Sequence, residues 1–148
     1  MMLSYADVEN FVSESRGIKE SGLNFSIVTG ETTEDMSMGL FIPSSDRDLF
    51  EAIHKGAIGS LWLKAAELPA WLPNHFPLFL TDNLTIAALT ILDHYYYNTK
   101  QEEWGTMTKF IFRDKEKNET YKITNRLQYS ETRDLAYRSL LTKGGDFR

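Results

Sequence analysis

The chain contains no cysteine, and this absence removes several kinds of chemistry at once. Without thiols there is no disulfide bond, no thiolate metal site and no cysteine nucleophile. Every apolar run is shorter than the roughly 20 residues that a membrane-spanning helix needs. The first ten residues, Met1 to Asn10, also lack the apolar core of a signal peptide. We therefore expect a cytoplasmic protein with no membrane partner.

Positive charge is scarce as well. Sixteen lysines and arginines face 21 aspartates and glutamates, which leaves a formal net charge of -5. A chain of this charge has no overall attraction for nucleic acid, so we expect no nucleic-acid partner. Hydrophobic residues make up 42% of the 148 residues, enough for one core. We predict a single domain over residues 1–148.

The order of strand and helix patterns predicts an α/β domain. Apolar segments typical of strands occur at residues 23–28, 39–42, 58–63 and 78–80. Helices are predicted to begin after Ser4, after Ser45 and after Thr81 or Asp82, where hydroxyl or carboxylate side chains can cap the first turn. Strand and helix patterns then alternate along the chain, as they do in layered α/β folds.

The last third of the chain has a different pattern. Residues 109–113 and 120–124 alternate apolar and polar side chains on either side of a charged stretch, which predicts a β-hairpin. A final helix is predicted over about residues 130–141, ending before Gly144-Gly145. The basic side chains of the hairpin are interspersed with acidic ones, so we interpret it as a solvated mixed-charge face. They are Lys109, Arg113, Lys115, Lys117 and Lys122.

Three segments carry a resemblance to a known family. They are Leu40-Phe41-Ile42-Pro43, the stretch from Ala52 to Ala57, and the stretch from Phe79 to Thr85. Over about residues 24–97 the chain resembles the amino-terminal, UDP-substrate-binding domain of the MurE- and MurF-like muramyl-peptide ligases. The resemblance implies a three-layer α/β domain, here with an added C-terminal β-hairpin and helix over about residues 106–142.

The same resemblance implies where a ligand would bind. In that family an Asp-Ser-Arg and an Asp-Gly-His segment help to hold the UDP group. Their counterparts here are Glu31-Thr32-Thr33 and Ser44-Ser45-Asp46, so Thr32, Thr33 and Asp46 are candidate substrate-binding residues. Thr33 stands in place of an arginine, and Asp46 in place of a histidine.

Asp82 and Asn83 are two further candidate substrate-binding residues. They follow an apolar strand, and α/β folds bind ligands at the carboxyl ends of strands. The alternative is structural, with Asp82 as the N-cap of the following helix.

A functional ligase also needs an ATP-binding loop, which this chain lacks. The nearest string, Trp104 to Lys109, has one glycine and no Gly-Lys pair. No nucleophile, base and orienting group occur in a spacing that predicts catalysis. His54, His75 and His94 have no second ligand at metal-binding spacing. We expect no catalytic residue, no metal and no cofactor.

Two functions remain open at this point. The first is a non-catalytic binding domain in peptidoglycan metabolism that takes a UDP-sugar-type ligand. The second is a protein-interaction or adaptor domain that has lost small-molecule binding. Its partner, or a second copy, would dock on the C-terminal hairpin and on an aromatic cluster of Tyr95-Tyr96-Tyr97 and Trp104. A helix cannot direct all three tyrosines to one side, so we expect at least two of them to pack internally.

Overall fold

A computed structural model describes residues 2–32, 35–99, 107–114 and 117–146. Those residues form nine strands and four helices in one α/β arrangement. The strands are β1 (Leu3–Ser4), β2 (Glu14–Arg16), β3 (Asn24–Phe25), β4 (Ile27–Thr29), β5 (Gly39–Phe41), β6 (Ala57–Leu63), β7 (Leu78–Thr81), β8 (Lys109–Asp114) and β9 (Glu119–Ile123). The helices are α1 (Tyr5–Glu9), α2 (Asp46–His54), α3 (Leu84–Asn98) and α4 (Arg126–Asp146).

A mixed seven-stranded sheet forms the centre of the domain, in the order β2-β7-β6-β5-β4-β8-β9. The five inner strands, from β7 to β8, are parallel. The two outer strands, β2 and β9, run antiparallel to their neighbours. A separate two-stranded sheet pairs β1 with β3. The α/β class predicted from the sequence is confirmed.

The order in which the chain adds strands to the sheet changes direction at β4. It moves outward from β4 through β5 and β6 to β7, and α3 then carries it back to β8 on the other side of β4. Because parallel crossovers are right-handed, α2 and α3 pack on opposite faces of the sheet. Helix α4 packs on α3 and on the β8–β9 hairpin. The adjacent ends of β4 and β8 are therefore a topological switch point.

Local signals in the sequence predicted two capped helix starts and the hairpin correctly. Ser4 and Ser45 each begin a helix with a complete capping box, closed by Asp7 and Asp48. Gly56 follows α2 with φ +109°, in the left-handed region that favours glycine. The predicted hairpin forms as β8 and β9.

Other boundaries differ from the prediction. The segment from Leu23 to Val28 is two strands in two sheets, because the chain turns at Ser26, whose N–H donates to the Met38 carbonyl. Strand β2 was not predicted. Helix α4 begins earlier than expected because the Asn125 side chain accepts the Gln128 N–H at 2.9 Å. It also continues through Gly144-Gly145, since glycine in a helix costs about 1 kcal/mol without forbidding it.

The aromatic side chains near the end of α3 are mostly internal. Tyr95 and Tyr96 are buried, as predicted for two of the three tyrosines, whereas Tyr97 is 74% exposed. The Tyr96 hydroxyl donates to the carbonyls of Thr108 and Ile123 and so ties α3 to both sides of the hairpin. Trp104 lies outside the described residues. Phe50 on α2 is 45% exposed.

A polar network fastens α4 to α3. Arg133 donates to both carboxylate oxygens of Asp93, at 2.8 and 2.7 Å, and the Tyr129 hydroxyl donates to Asp93 at 2.9 Å. Burial, followed by the hydrogen bond to Asp93, raises the pKa of Tyr129 above its ordinary value of 10.0. The Arg133 pKa is also raised, chiefly by its hydrogen bond to Asp93, so the ion pair persists at high pH.

The raised pKa of Tyr129 predicts a pH effect on stability. A tyrosine whose folded pKa exceeds its unfolded value contributes stability that is fully present below pH ~10 and is lost as the pH rises through the folded value. We expect the Tyr129→Phe variant to be less stable than the wild type by a constant amount between pH ~6 and ~9. Above pH ~10 the difference should shrink. Urea unfolding across this pH range measures it, and a difference that grew at the alkaline end would contradict it.

Candidate ligand-binding edge of the sheet

The candidate residues lie at the carboxyl edge of the parallel strands. Thr32 follows β4, Asp46 follows β5, and Asp82 and Asn83 follow β7. Because these strands are parallel, their carboxyl ends meet at one edge of the sheet. Thr33 lies outside the described residues, and Asp46 is described only as the first residue of α2.

The candidates fall into two groups along this edge. Strands β4 and β5 are neighbours, so the segments that follow them start side by side. The Thr32 carbonyl then contacts Lys55, at the opposite end of α2 from Asp46. Strand β7 is three strand spacings from β4, or about 14 Å. The structure therefore places the ends of β4 and β5 next to each other and leaves Asp82 and Asn83 well to one side of them.

Asn83, rather than Asp82 or Thr81, is the N-cap of α3. Its side-chain oxygen accepts the Ile86 N–H at 2.9 Å. The Thr81 hydroxyl oxygen accepts the Asn83 N–H at 3.2 Å and fixes the turn that leads into the helix. The prediction that Asp82 or Thr81 caps this helix is therefore wrong, and Asp82 is exposed. A helix cap suffices to explain Asn83.

The amino end of α2 is occupied by a carboxylate of the chain itself. Asp48 accepts the Ser44 N–H at 2.8 Å, the Ser44 hydroxyl at 2.6 Å and the Ser45 N–H at 3.0 Å. A free helix amino end is a ready anion site, because its N–H groups and dipole favour negative charge. Here Asp48 uses the donors that precede the helix, so a ligand phosphate cannot use them in this conformation.

The segment after β4 is held from several sides. The Thr29 hydroxyl oxygen accepts the Glu31 N–H at 3.1 Å, and the Thr29 carbonyl accepts the Ile42 N–H at 3.0 Å. Lys55, which follows α2, donates its ammonium group to the Thr32 carbonyl. These contacts fix the backbone of residues 29–32 against both the sheet and the end of α2.

Arg113 adds a cation that the sequence interpretation did not assign to this edge. It lies near the carboxyl end of β8, where its guanidinium NH1 is 3.9 Å from the Glu31 carboxylate. Its NH2 donates to the Asn118 side-chain oxygen across the hairpin. The charged hairpin is thus more than a solvated face, because one of its cations faces the loop after β4. Only the pairing of β8 with β4 reveals this, and no sequence signal specifies that pairing.

The histidines do not form a metal centre in the part of the chain that the structure describes. No group of three His, Asp or Glu residues there is placed to hold a metal ion. His54 packs its ring on Phe50 at 4.3 Å, and His94 packs on Phe11 at 4.8 Å between ring centroids. Within the same residues, none of the helices has the length and apolar character needed to cross a membrane.

Several surface depressions lie away from the carboxyl ends of β4, β5 and β8. One of about 360 Å³ lies between the end of β2 and the connection that precedes β7, with Arg16, Pro69 and Pro73 in its wall. A smaller one of about 170 Å³ lies at the amino ends of β6 and β7, beside Ile58 and Pro77. A third, of about 440 Å³, lies beside α1 and β2. The candidate residues therefore belong to an open edge and not to these depressions.

The chain was compared with models of known protein families and with curated proteins. No model of a known protein family matches the chain, and no curated protein matches it. The resemblance to the muramyl-peptide ligases stays a prediction from the residues quoted above.

Proposed function

We propose that this protein is a non-catalytic binding domain related to the substrate domain of the muramyl-peptide ligases, and that it takes a UDP-sugar-type ligand. The binding surface is the carboxyl edge of β4, β5 and β8. What supports this proposal is the switch point at β4, where open α/β sheets bind ligands in the crevice beyond the strand ends. Of the polar segments of the resemblance, the one with Thr32 follows β4, which borders the switch point, and the one with Asp46 follows the neighbouring strand β5.

The role of each segment follows from its chemistry. The segment after β4 offers the Thr32 hydroxyl to a ribose or phosphate oxygen. Arg113 offers a cation to a phosphate. The proposed binding surface excludes Asn83, whose side chain caps α3. No residue of this surface is assigned a role in a reaction.

A titration with UDP, UDP-N-acetylglucosamine and UDP-N-acetylmuramyl peptides tests this function. Calorimetry gives the dissociation constant, and thermal unfolding provides an independent readout. A ligand at about a hundred times its dissociation constant should stabilise the folded protein by about 2.7 kcal/mol. We expect a shift with the UDP compounds and none with uridine, the matched control that has the same base and ribose but no diphosphate. No heat and no thermal shift at millimolar UDP compounds would overturn the proposal.

A second candidate function, protein interaction, is favoured by a different surface. Phe50 and Trp71 are 45% and 39% exposed and contact each other edge to face at 5.1 Å. Exposed aromatic side chains are enriched in interface hot spots. The predicted docking cluster on α3 is a weaker basis, since Tyr95 and Tyr96 are buried. A mass that rises with concentration in sedimentation, together with no response to UDP compounds, would favour this second function.

A further inference from the structure

The crevice between β4 and β8 has a cation on one wall and a carboxylate on the other. Thr29 on β4 pairs with Ile111 on β8, and beyond this pair the two chains diverge. Glu31 and Arg113 each lie two residues further along. They therefore face each other at the mouth of the switch point.

The contact between these two groups is loose. Arg113 NH1 is 3.9 Å from the Glu31 carboxylate, about 1 Å longer than a charge-assisted hydrogen bond between an N–H donor and a carboxylate. The Arg113 side chain is 37% exposed, so solvent reaches the guanidinium. The pair holds opposite charges close together but leaves room for a better acceptor between them.

The guanidinium and the backbone of Arg113 are each held by a hydrogen bond to a residue other than Glu31. Arg113 NH2 donates to the side-chain oxygen of Asn118, and the Ser139 hydroxyl of α4 donates to the Arg113 carbonyl at 2.7 Å. Asn118 has φ 54°, a left-handed conformation that asparagine tolerates better than most residues. The hairpin turn thus presents Arg113 to the crevice and does not leave its side chain free.

These observations identify the anion-binding group of the crevice. Asp48 accepts the N–H groups of Ser44 and Ser45 just before α2, and its negative charge there disfavours a phosphate at that helix end. A guanidinium presents a planar fork of donors that matches two oxygens of a phosphate. We propose that Arg113 binds a phosphate group of the ligand, and that Glu31 is a resident carboxylate which this phosphate displaces. This inference rests on the proposed function and assigns the binding of the ligand's phosphate to one ion pair.

If the phosphate displaces Glu31, substitutions of Arg113 and of Glu31 should change the affinity for UDP in opposite directions. The Arg113→Gln change removes the cation and should weaken UDP binding at least tenfold. The Glu31→Gln change removes the competing charge and should strengthen UDP binding about threefold. The Arg113→Lys variant keeps the charge but loses the fork, and should fall between the wild type and Arg113→Gln. Binding of inorganic pyrophosphate should change in the same directions, because the phosphates carry the contact.

Matched variants separate this contact from general charge effects. Lys122→Gln makes the same charge change on β9 of the same hairpin, and Glu51→Gln makes the same change as Glu31→Gln on the exposed side of α2. Neither should change UDP affinity by more than twofold. The Asn118→Gly variant keeps the left-handed turn, removes the oxygen that orients Arg113, and should weaken binding less than Arg113→Gln. Circular dichroism and thermal unfolding establish that each variant is folded.

The outcomes distinguish failure of this inference from failure of the proposed function. If wild-type protein binds UDP and Arg113→Gln binds it equally well, Arg113 is not the phosphate-binding residue, while the proposed function stands. If Glu31→Gln weakens UDP binding, Glu31 is a ligand contact and not a displaced group. If the wild type binds neither UDP compounds nor pyrophosphate, the proposed function fails and this inference fails with it.

Discussion

Replacing Thr108 with valine is expected to lower the free energy of unfolding by about 3 kcal/mol, because two buried backbone groups lose their partner. The Thr108 hydroxyl donates to the Phe25 carbonyl at 2.5 Å and accepts the Leu3 N–H at 2.7 Å. Leu3 and Phe25 are themselves paired in the small sheet of β1 and β3. Thr108 precedes β8, so this one hydroxyl joins the small sheet to the central one.

Urea unfolding of the Thr108→Val variant measures this effect. Valine has nearly the shape of threonine, so the change removes the hydroxyl without creating a large cavity. The matched control is Thr90→Val, since the exposed Thr90 hydroxyl donates to the Ile86 carbonyl within its own helix. We expect the control to change the free energy of unfolding by less than about 1 kcal/mol. A loss at Thr108 no larger than at Thr90 would contradict the prediction.

Replacing Gly17 with alanine is expected to destabilise the protein by about 3 kcal/mol, the sum of backbone strain and a steric clash. Gly17 has φ +88°, where an alanine side chain costs about 1–2 kcal/mol. A Cβ atom at this position would also lie 2.3 Å from the carbonyl oxygen of Phe76, a backbone group that no side-chain rotation can move away. The next residue, Ile18, donates its N–H to the His75 carbonyl at 2.9 Å. The substitution therefore forces β2 away from its place beside β7.

A second glycine provides the control for this change. A Cβ atom at Gly22 would meet none of the described atoms within 4 Å, and Gly22 has no positive φ. The Gly22→Ala change should therefore be neutral or slightly stabilising. Both variants are compared by thermal and urea unfolding. Equal stability of the Gly17→Ala and Gly22→Ala variants would show that the contact with Phe76 is relieved at little cost.

Features set by a few adjacent residues could be predicted from the sequence. The capping boxes at Ser4 and Ser45 and the left-handed Gly56 depend on residues within one helical turn, so their signals are local. The N-cap of α3 was assigned one or two residues too early. Asp82 and Asn83 are both good capping residues, and the hydrogen bond from the Asn83 N–H to Thr81 decides between them.

The order of strands could not be predicted, because it depends on contacts between distant parts of the chain. Consecutive parallel strands often lie side by side, which is why β4 and β5 could be expected to be neighbours. The return of the chain to pair β8 with β4 has no local signal. For this reason Arg113 was interpreted as part of a solvated hairpin, although its guanidinium faces Glu31 across the switch point.

Binding of a UDP-sugar-type ligand at the carboxyl edge of β4, β5 and β8 is tested most directly by a UDP titration of ¹⁵N-labelled protein, followed through the backbone amide signals. We expect the largest saturable shifts on Gly30, Thr32, Ser44 and Arg113. The amides around Arg16 and Ile58, at the opposite edge of the sheet, should stay unchanged. Shifts confined to that opposite edge, or no shifts at millimolar UDP, would contradict binding at the switch point.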